Sequence, residues 1–307
     1  MLAYAHDTRV ASSLRERRDG RDELAIHAPS IEPVDALRQL QGWPATTVAV
    51  GIVRGGEEVA AHGPRDQVFR WASVTKLATA LAVLVAAEEG SVDLDQPAGP
   101  EGSTVRHLLA HASGLPFDAG TRAPIAAPGE RRIYSNAGFE VLGEVVAASA
   151  EMPFAEYLAA AVLRPLGMDA ELRGSPAADV QGTLADLLRL GAELQRPRLV
   201  APETLGEATS VQFAGLGGVL PDFGRMEPND WGLGFELRDA KEPHWTGTRN
   251  SPRTFGHFGG SGTFLWVDPE AEVAVACLTD LEFGPWAKEA WPRLSDAVLS
   301  ENARVSE

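Results

Sequence analysis

The sequence predicts an α+β protein: a central antiparallel sheet formed from both chain ends, with a helical lobe inserted between them. Three observations predict it. β-rich runs occur early, at "TTVAVGIV" and "EEVAAHG". They return late, at "GLGFELRD", "TFGHFGG", "GTFLWVDP" and "EVAVACLTD". Between them, residues 105–200 carry mostly helical patterns: "TVRHLLAHA", "NAGFEVLGEVVAASA", "PFAEYLAAAVLRPLG" and "TLADLLRLGAELQ". Strands separated by a helical block and joined in one sheet leave a crevice between two lobes, a natural place for a site. Residues 1–30 read as a loosely ordered segment and residues 31–307 as one domain, with the helical lobe at about 90–205.

Taken in order, "IEPVDALRQLQGW" has helical spacing, with Ile31, Val34, Leu37 and Leu40 on one face. Arg54-Gly55-Gly56 joins the two early strands as a hairpin. A helix then opens at Ser73 and ends near Gly90. Residues 211–230, rich in Gly, Pro and Asp, read as a long loop. Asp268-Pro269-Glu270 is a turn between the late strands. The last helix starts at Pro285, a favoured first-turn position, and Pro292 is expected to bend or split it.

Composition excludes several functions. The net charge of −16 repels phosphate backbones and gives no hold on anionic lipid, so neither nucleic acid nor a membrane is expected as partner. The start, "MLAYAHDTRVASSLRERRDGRDE", has no apolar signal-peptide core, and the longest apolar run, 77–87, is too short to span a bilayer. These features lead us to expect a soluble, cytoplasmic protein. The single cysteine, Cys277, lies in an apolar strand pattern and reads as a buried structural thiol.

The stretch "RWASVTKL" carries the chemistry. Ser73 and Lys76, three apart, share a helix face. At a helix start the backbone N–H of Ser73 is an unpaired donor suited to an oxyanion. A lysine among Leu77, Ala78 and Leu81 is desolvated, its pKa falls, and its free amine can take the serine proton. Alone, this spacing more often marks a helix cap beside a surface lysine. Its company decides otherwise. "GERRIYSNAGFEVLG" places Tyr134 and Asn136 before a helix, a phenol to shuttle a proton and an amide to orient a carbonyl. "FGHFGGSGTF" places His257, Phe258, Gly259 and Gly260 on a late strand, whose glycine-rich edge presents a second N–H.

With "FRWASVTK", "HLLAHASGLP", "PGERRIYSNAGFEVLGEVV", "RPLGM" and "GHFGGSGTF" in this order, residues 45–300 resemble the penicillin-recognising serine hydrolases, in the branch of class C β-lactamases, D-alanyl-D-alanine carboxypeptidases and related esterases. The resemblance implies a β-lactamase-like fold and assigns Ser73 as acylated nucleophile, Lys76 as its base partner and Tyr134 as proton shuttle. Asn136, His257, Phe258, Gly259 and Gly260 then fall on substrate-binding positions, with Gly260 donating the second oxyanion N–H. It implies no metal and no organic cofactor.

The third motif departs from the family's Lys-Thr-Gly. Phe258 replaces a hydroxyl and His257 a full cation, which weakens carboxylate recognition; Arg253 is the nearby residue able to compensate. An ester or small amide is therefore expected as substrate. A β-lactamase or carboxypeptidase is the alternative, and a non-catalytic binding or regulatory member of the fold is the rival of another class. His107 and His111, four apart, read as packing groups, since no third ligand accompanies them. Trp231 in "WGLGFEL" reads as core, with an acyl-pocket wall as the other possibility. "GLGG" and "GHFGGSG" lack the strand–glycine–helix context of a dinucleotide site.

Overall fold

A computed structural model describes residues 35–305. The expectation for residues 1–30, and Ile31 and Val34 of the first helical pattern, lie outside the described residues. Leu37 and Leu40 are buried as expected, but on a 3₁₀ helix, Asp35–Gly42, and not an α-helix. Strands β1 (Val48–Arg54) and β2 (Glu57–His62) form the hairpin, turned by Gly55 and Gly56 at φ 56° and 91°. Positive φ at both turn residues matches the strand twist, and glycine adopts it without a Cβ clash.

After the short β3 (Phe69–Arg70), a 3₁₀ turn, Ala72–Val74, precedes helix α1 (Thr75–Glu88). The expected helix start at Ser73 is thus corrected: Ser73 sits on the 3₁₀ turn, and Lys76 is the second residue of α1. α1 is buried on nearly every side, as its unbroken apolar pattern requires. Helices α2 (Val105–Leu109), α3 (Asn136–Ala150) and α4 (Phe154–Leu158) follow, the last continuing as a π turn over Ala159–Leu163. Strands β4 (Glu171–Leu172) and β5 (Val180–Gly182) pair beside β3. Helices α5 (Leu184–Gln195) and α6 (Pro202–Ala208) complete the helical part. No single helix among the described residues is long and apolar enough to cross a membrane.

Residues 211–230 are not wholly loop. They contain the hairpin β6 (Gly218–Leu220) and β7 (Gly224–Met226). Three-residue strands in glycine-rich surroundings leave too short a pattern to read. Of "GLGFELRD", only β8 (Glu236–Leu237) is strand. Strands β9 (Phe255–Gly259), β10 (Thr263–Asp268) and β11 (Val273–Thr279) stand where the sequence placed them. The last helix, α7 (Pro285–Val305), runs unbroken through Pro292. Trp291, Leu294 and Val298 are fully buried on it, so packing outweighs the one hydrogen bond that proline deletes.

The sheet order is β2-β1-β11-β10-β9-β8, antiparallel throughout. The first long strand therefore pairs with the last, and the sheet is indeed built from both chain ends. Alternation along the strands divides the core. Ala274, Ala276 and Leu278 of β11 face the layer holding α1, α3 and α5; Val273, Val275 and Cys277 face α7 and the first 3₁₀ helix. The buried Cys277 is one of this second layer, its thiol pKa pushed well up by burial.

Candidate active site

The turn that carries Ser73 is docked against β9 by contacts that do not use the serine hydroxyl. Thr263 donates to the Trp71 carbonyl at 2.9 Å, and Ser261 to that of Arg70 at 2.8 Å. From the other side, Trp71 N–H donates to Val180 O at 3.0 Å. Ala72 is held in the left-handed region, φ 46°. A Cβ at Gly259 would lie 2.5 Å from Trp71 O and 3.0 Å from Ala72 Cβ, so only glycine lets β9 approach this turn. Gly259→Ala should displace Ser73 relative to its partners and lower kcat by about 10²-fold, the scale for an ångström of misplacement. Kinetics and a melting curve on one preparation check this; an unchanged kcat would show that the strand yields harmlessly.

Lys76 is fully buried, and its amine has three partners. It lies 2.7 Å from Asn136 Oδ1, 2.8 Å from Ala177 O and 3.4 Å from Ser73 Oγ. Burial lowers its pKa to about 7, against the opposing pull of Glu140. A neutral amine has two N–H groups and one lone pair. The two short bonds go to oxygens that only accept, so they take the hydrogens and leave the lone pair on the side of Ser73.

Tyr134 precedes α3, whose N-cap is Ser135. Its hydroxyl bonds Ser73 and lies 3.3 Å from His257 Nε2. Burial raises the phenol pKa, and the bond to Ser73 partly opposes this. His257 Nδ1 is 2.7 Å from Phe258 O, to which it donates, so Nε2 is the free acceptor facing Tyr134. Burial first, and the nearby Lys76 second, push the His257 pKa down to about 3. The histidine is therefore a neutral partner of Tyr134.

These groups border a cavity of about 150 Å³, lined by Ser73, Tyr134, His257, Phe258 and Gly260 together with Phe117, Leu220, Pro221, Asp222, Trp231 and Glu236. The structure thus brings together every residue expected at the site, in differing roles. Asn136 holds the lysine, and Gly259 is a spacer behind the cavity wall. Phe258 contributes to the wall, but its ring packs against Phe223, Phe283, Trp245 and Trp291. Arg253 is exposed and does not line the cavity. Trp231 is both core and wall.

Several supporting groups escaped the sequence reading. Ala177 acts through its carbonyl, which leaves no mark on residue type. Arg132 is buried and donates to the carbonyls of Ala110, Gln212, Phe213 and Asn229, fastening the loop that carries the β6–β7 hairpin. Its place two residues before Tyr134 was the available signal. His111, which the sequence did offer as a packing group, accepts from Ser135 N–H at 3.1 Å and lies against the Tyr134 ring. His107 bonds Thr104, the N-cap of α2. Among the described residues no three potential metal ligands are grouped.

Known proteins agree with this architecture. The chain is 26% identical over 331 residues to esterase EstB of Burkholderia gladioli, covering 76% of this chain and 83% of that one. It is 28% identical over 168 residues to AmpH of Escherichia coli, a D-alanyl-D-alanine carboxypeptidase/endopeptidase, covering 43% of each. Among solved structures, a protein from Mycobacterium bovis described as a β-lactamase is 51% identical, with TM-score 0.85, covering 87% of this chain and 99% of its own. Simvastatin synthase of Aspergillus terreus shares the fold at 16% identity, with TM-score 0.70 over 87% of this chain and 93% of its own. The Beta-lactamase family model matches residues 38–172 and 169–299, and the chain belongs to that family of serine hydrolases.

Proposed function

We propose that this protein hydrolyses esters or small amides with an uncharged acyl group through an acyl-enzyme on Ser73. The observation that carries this reading is the buried Lys76 amine beside Ser73 Oγ, at 3.4 Å, with its two shorter bonds going to the acceptors Asn136 Oδ1 and Ala177 O, which leaves a neutral amine's lone pair for the serine proton. Ser73 Oγ attacks the carbonyl carbon as Lys76 takes its proton. The N–H groups of Ser73 and Gly260 receive the oxyanion. Tyr134 gives its phenol proton to the leaving oxygen and is reloaded from Lys76, so that one proton passes from serine to product alcohol. Water then attacks the acyl-enzyme, loses a proton along the same path, and Ser73 leaves protonated.

The acyl preference follows from the walls. Cavities of about this volume accept a benzene-sized group when apolar. Among the described residues no lysine or arginine lines the cavity, and the two charged residues that do, Asp222 and Glu236, are both acids. A carboxylate there would be desolvated without a cation. The charge of Glu236 is itself met by Lys241, and its Oε2 accepts from His244 and Trp245, each at 2.9 Å.

p-Nitrophenyl butyrate should therefore exceed nitrocefin in kcat/KM. Intact mass spectrometry should show one acyl group or one fluorophosphonate adduct, lost in Ser73→Ala. A β-lactamase is the second reading, favoured by the description of the 51% identical M. bovis protein. A tenfold preference for nitrocefin would establish it, on the scale of about 1.4 kcal/mol in transition-state binding. No adduct with any acylating probe would favour the binding or regulatory alternative.

A further inference from the structure

Helix α3 acts on the lysine directly through Asn136 and is linked to it a second time through a neighbouring turn. We propose that Glu140 is a positioning residue for Lys76, acting through the Ser175–Ala177 turn and through its own negative charge. This rests on the hydrolytic reading of Ser73 and Lys76. Asn136 and Glu140 are four apart on α3 and share a face. Asn136 binds the lysine amine itself. Glu140 accepts a short bond from the Ser175 hydroxyl. That bond turns a Ser175 lone pair to Ala177 N–H, which donates to it at 3.0 Å. Ala177 O then accepts from Lys76 Nζ at 2.8 Å. Thr79 also pins the turn, through Pro176 O at 2.7 Å. The distinct contribution of Glu140 is therefore the orientation of the Ser175 hydroxyl and a carboxylate charge near a buried amine.

Other groups facing Lys76 do not supply that charge. Tyr134 from the segment before α3, His257 from β9 and His111 from the segment after α2 all surround it. Both histidines are buried and held neutral, and the phenol is held protonated. Glu140 is the anion that opposes the desolvation of the amine. On its outer side, Arg122 is paired with Glu144 at 2.6 Å and also feels Glu140. Without Glu140 the amine would remain free to lower pH, but it would be a weaker base.

The chain has three lysines, Lys76, Lys241 and Lys288, so a lysine side-chain NMR titration can read Lys76 without any substrate. In Glu140→Gln the amide oxygen can still accept from Ser175, but the charge is gone. Its Lys76 midpoint should fall by about half a pH unit or more, as loss of a nearby opposite charge requires. The acidic limb of kcat/KM for p-nitrophenyl butyrate should move down with it. Glu140→Asp, keeping the charge, should restore the midpoint. Ser175→Ala should lower kcat with little change in KM, because the turn loses its orientation while the charge stays. A Lys76 midpoint unmoved in Glu140→Gln overturns the electrostatic part, and wild-type kcat in Ser175→Ala overturns the route through the turn. A role in stability alone would lower the melting temperature and move neither midpoint nor kcat. If the wild type is neither acylated nor active on esters, the hydrolytic reading fails, and the NMR midpoint still decides the pairing of Glu140 with Lys76.

Discussion

Ser73→Ala is expected to lower kcat toward activated esters by on the order of 10⁴ or more, with the fold intact. Ser73 is the hydroxyl that meets both Lys76 and Tyr134. The contacts that shape its turn do not use its hydroxyl: Val74 N–H donates to Trp71 O at 3.2 Å, and Thr263 clamps the same carbonyl. The one bond lost to Lys76 is long, at 3.4 Å. Stability should therefore stay close to wild type while turnover vanishes. Turnover by the mutant comparable to wild type, on material free of contaminating esterase, would remove Ser73 from the mechanism.

Lys76→Ala should be nearly as damaging, and the Lys76→Ala/Tyr134→Phe pair little worse than either alone, because groups on one proton path do not contribute independently. A double mutant whose loss equals the product of the two single losses would reduce Lys76 to a structural neighbour. In the proposed reaction the free amine is the working form, so kcat/KM should rise with pH through about 7, the value to which burial brings this lysine. The same group links stability to pH. Between about 7 and 10.5 the unfolded lysine holds a proton that the folded one does not. Stability from this group therefore rises with pH across that window, and the cost of burying the lysine is largest below it. Lys76→Met should abolish that rise in a series of denaturant titrations, which a surface lysine would leave untouched.

The strands of both ends, the hairpin turn and the motif residues were legible because each writes itself in residue type. Short apolar runs bounded by turn residues mark β10 and β11; paired glycines mark the turn at 55–56; and a lysine in an otherwise apolar helix is visible as a charge with nowhere to go. The 3₁₀ turn at Ser73 was not legible, because a 3₁₀ start and an α start differ in one hydrogen-bond register and not in composition. Pro292 misled because its local penalty is plain in sequence while the packing of Trp291 and Leu294 against the far layer is not. Phe258 lines the cavity, yet the aromatic cluster that receives its ring is assembled from residues distant in the chain and so left no mark beside it. Glu140 and Ser175 carry no pattern because they act through a backbone carbonyl.

The pairing of β1 with β11 has a consequence for the order of assembly. β11 occupies an interior position in the sheet, yet it is among the last segments to leave the ribosome. Until it arrives, the β1–β2 hairpin presents an open edge, and the β8–β9–β10 unit has no strand to join it to that hairpin, so the sheet that brings Gly259 against the Ser73 turn is in two pieces. Contacts of such long sequence separation close slowly and expose strand edges while they wait. A nascent chain stalled before residue 273 should thus hold Ser73, Lys76, Tyr134 and His257 all synthesised and yet be unreactive to a fluorophosphonate. Labelling should begin only when β11 has cleared the exit tunnel.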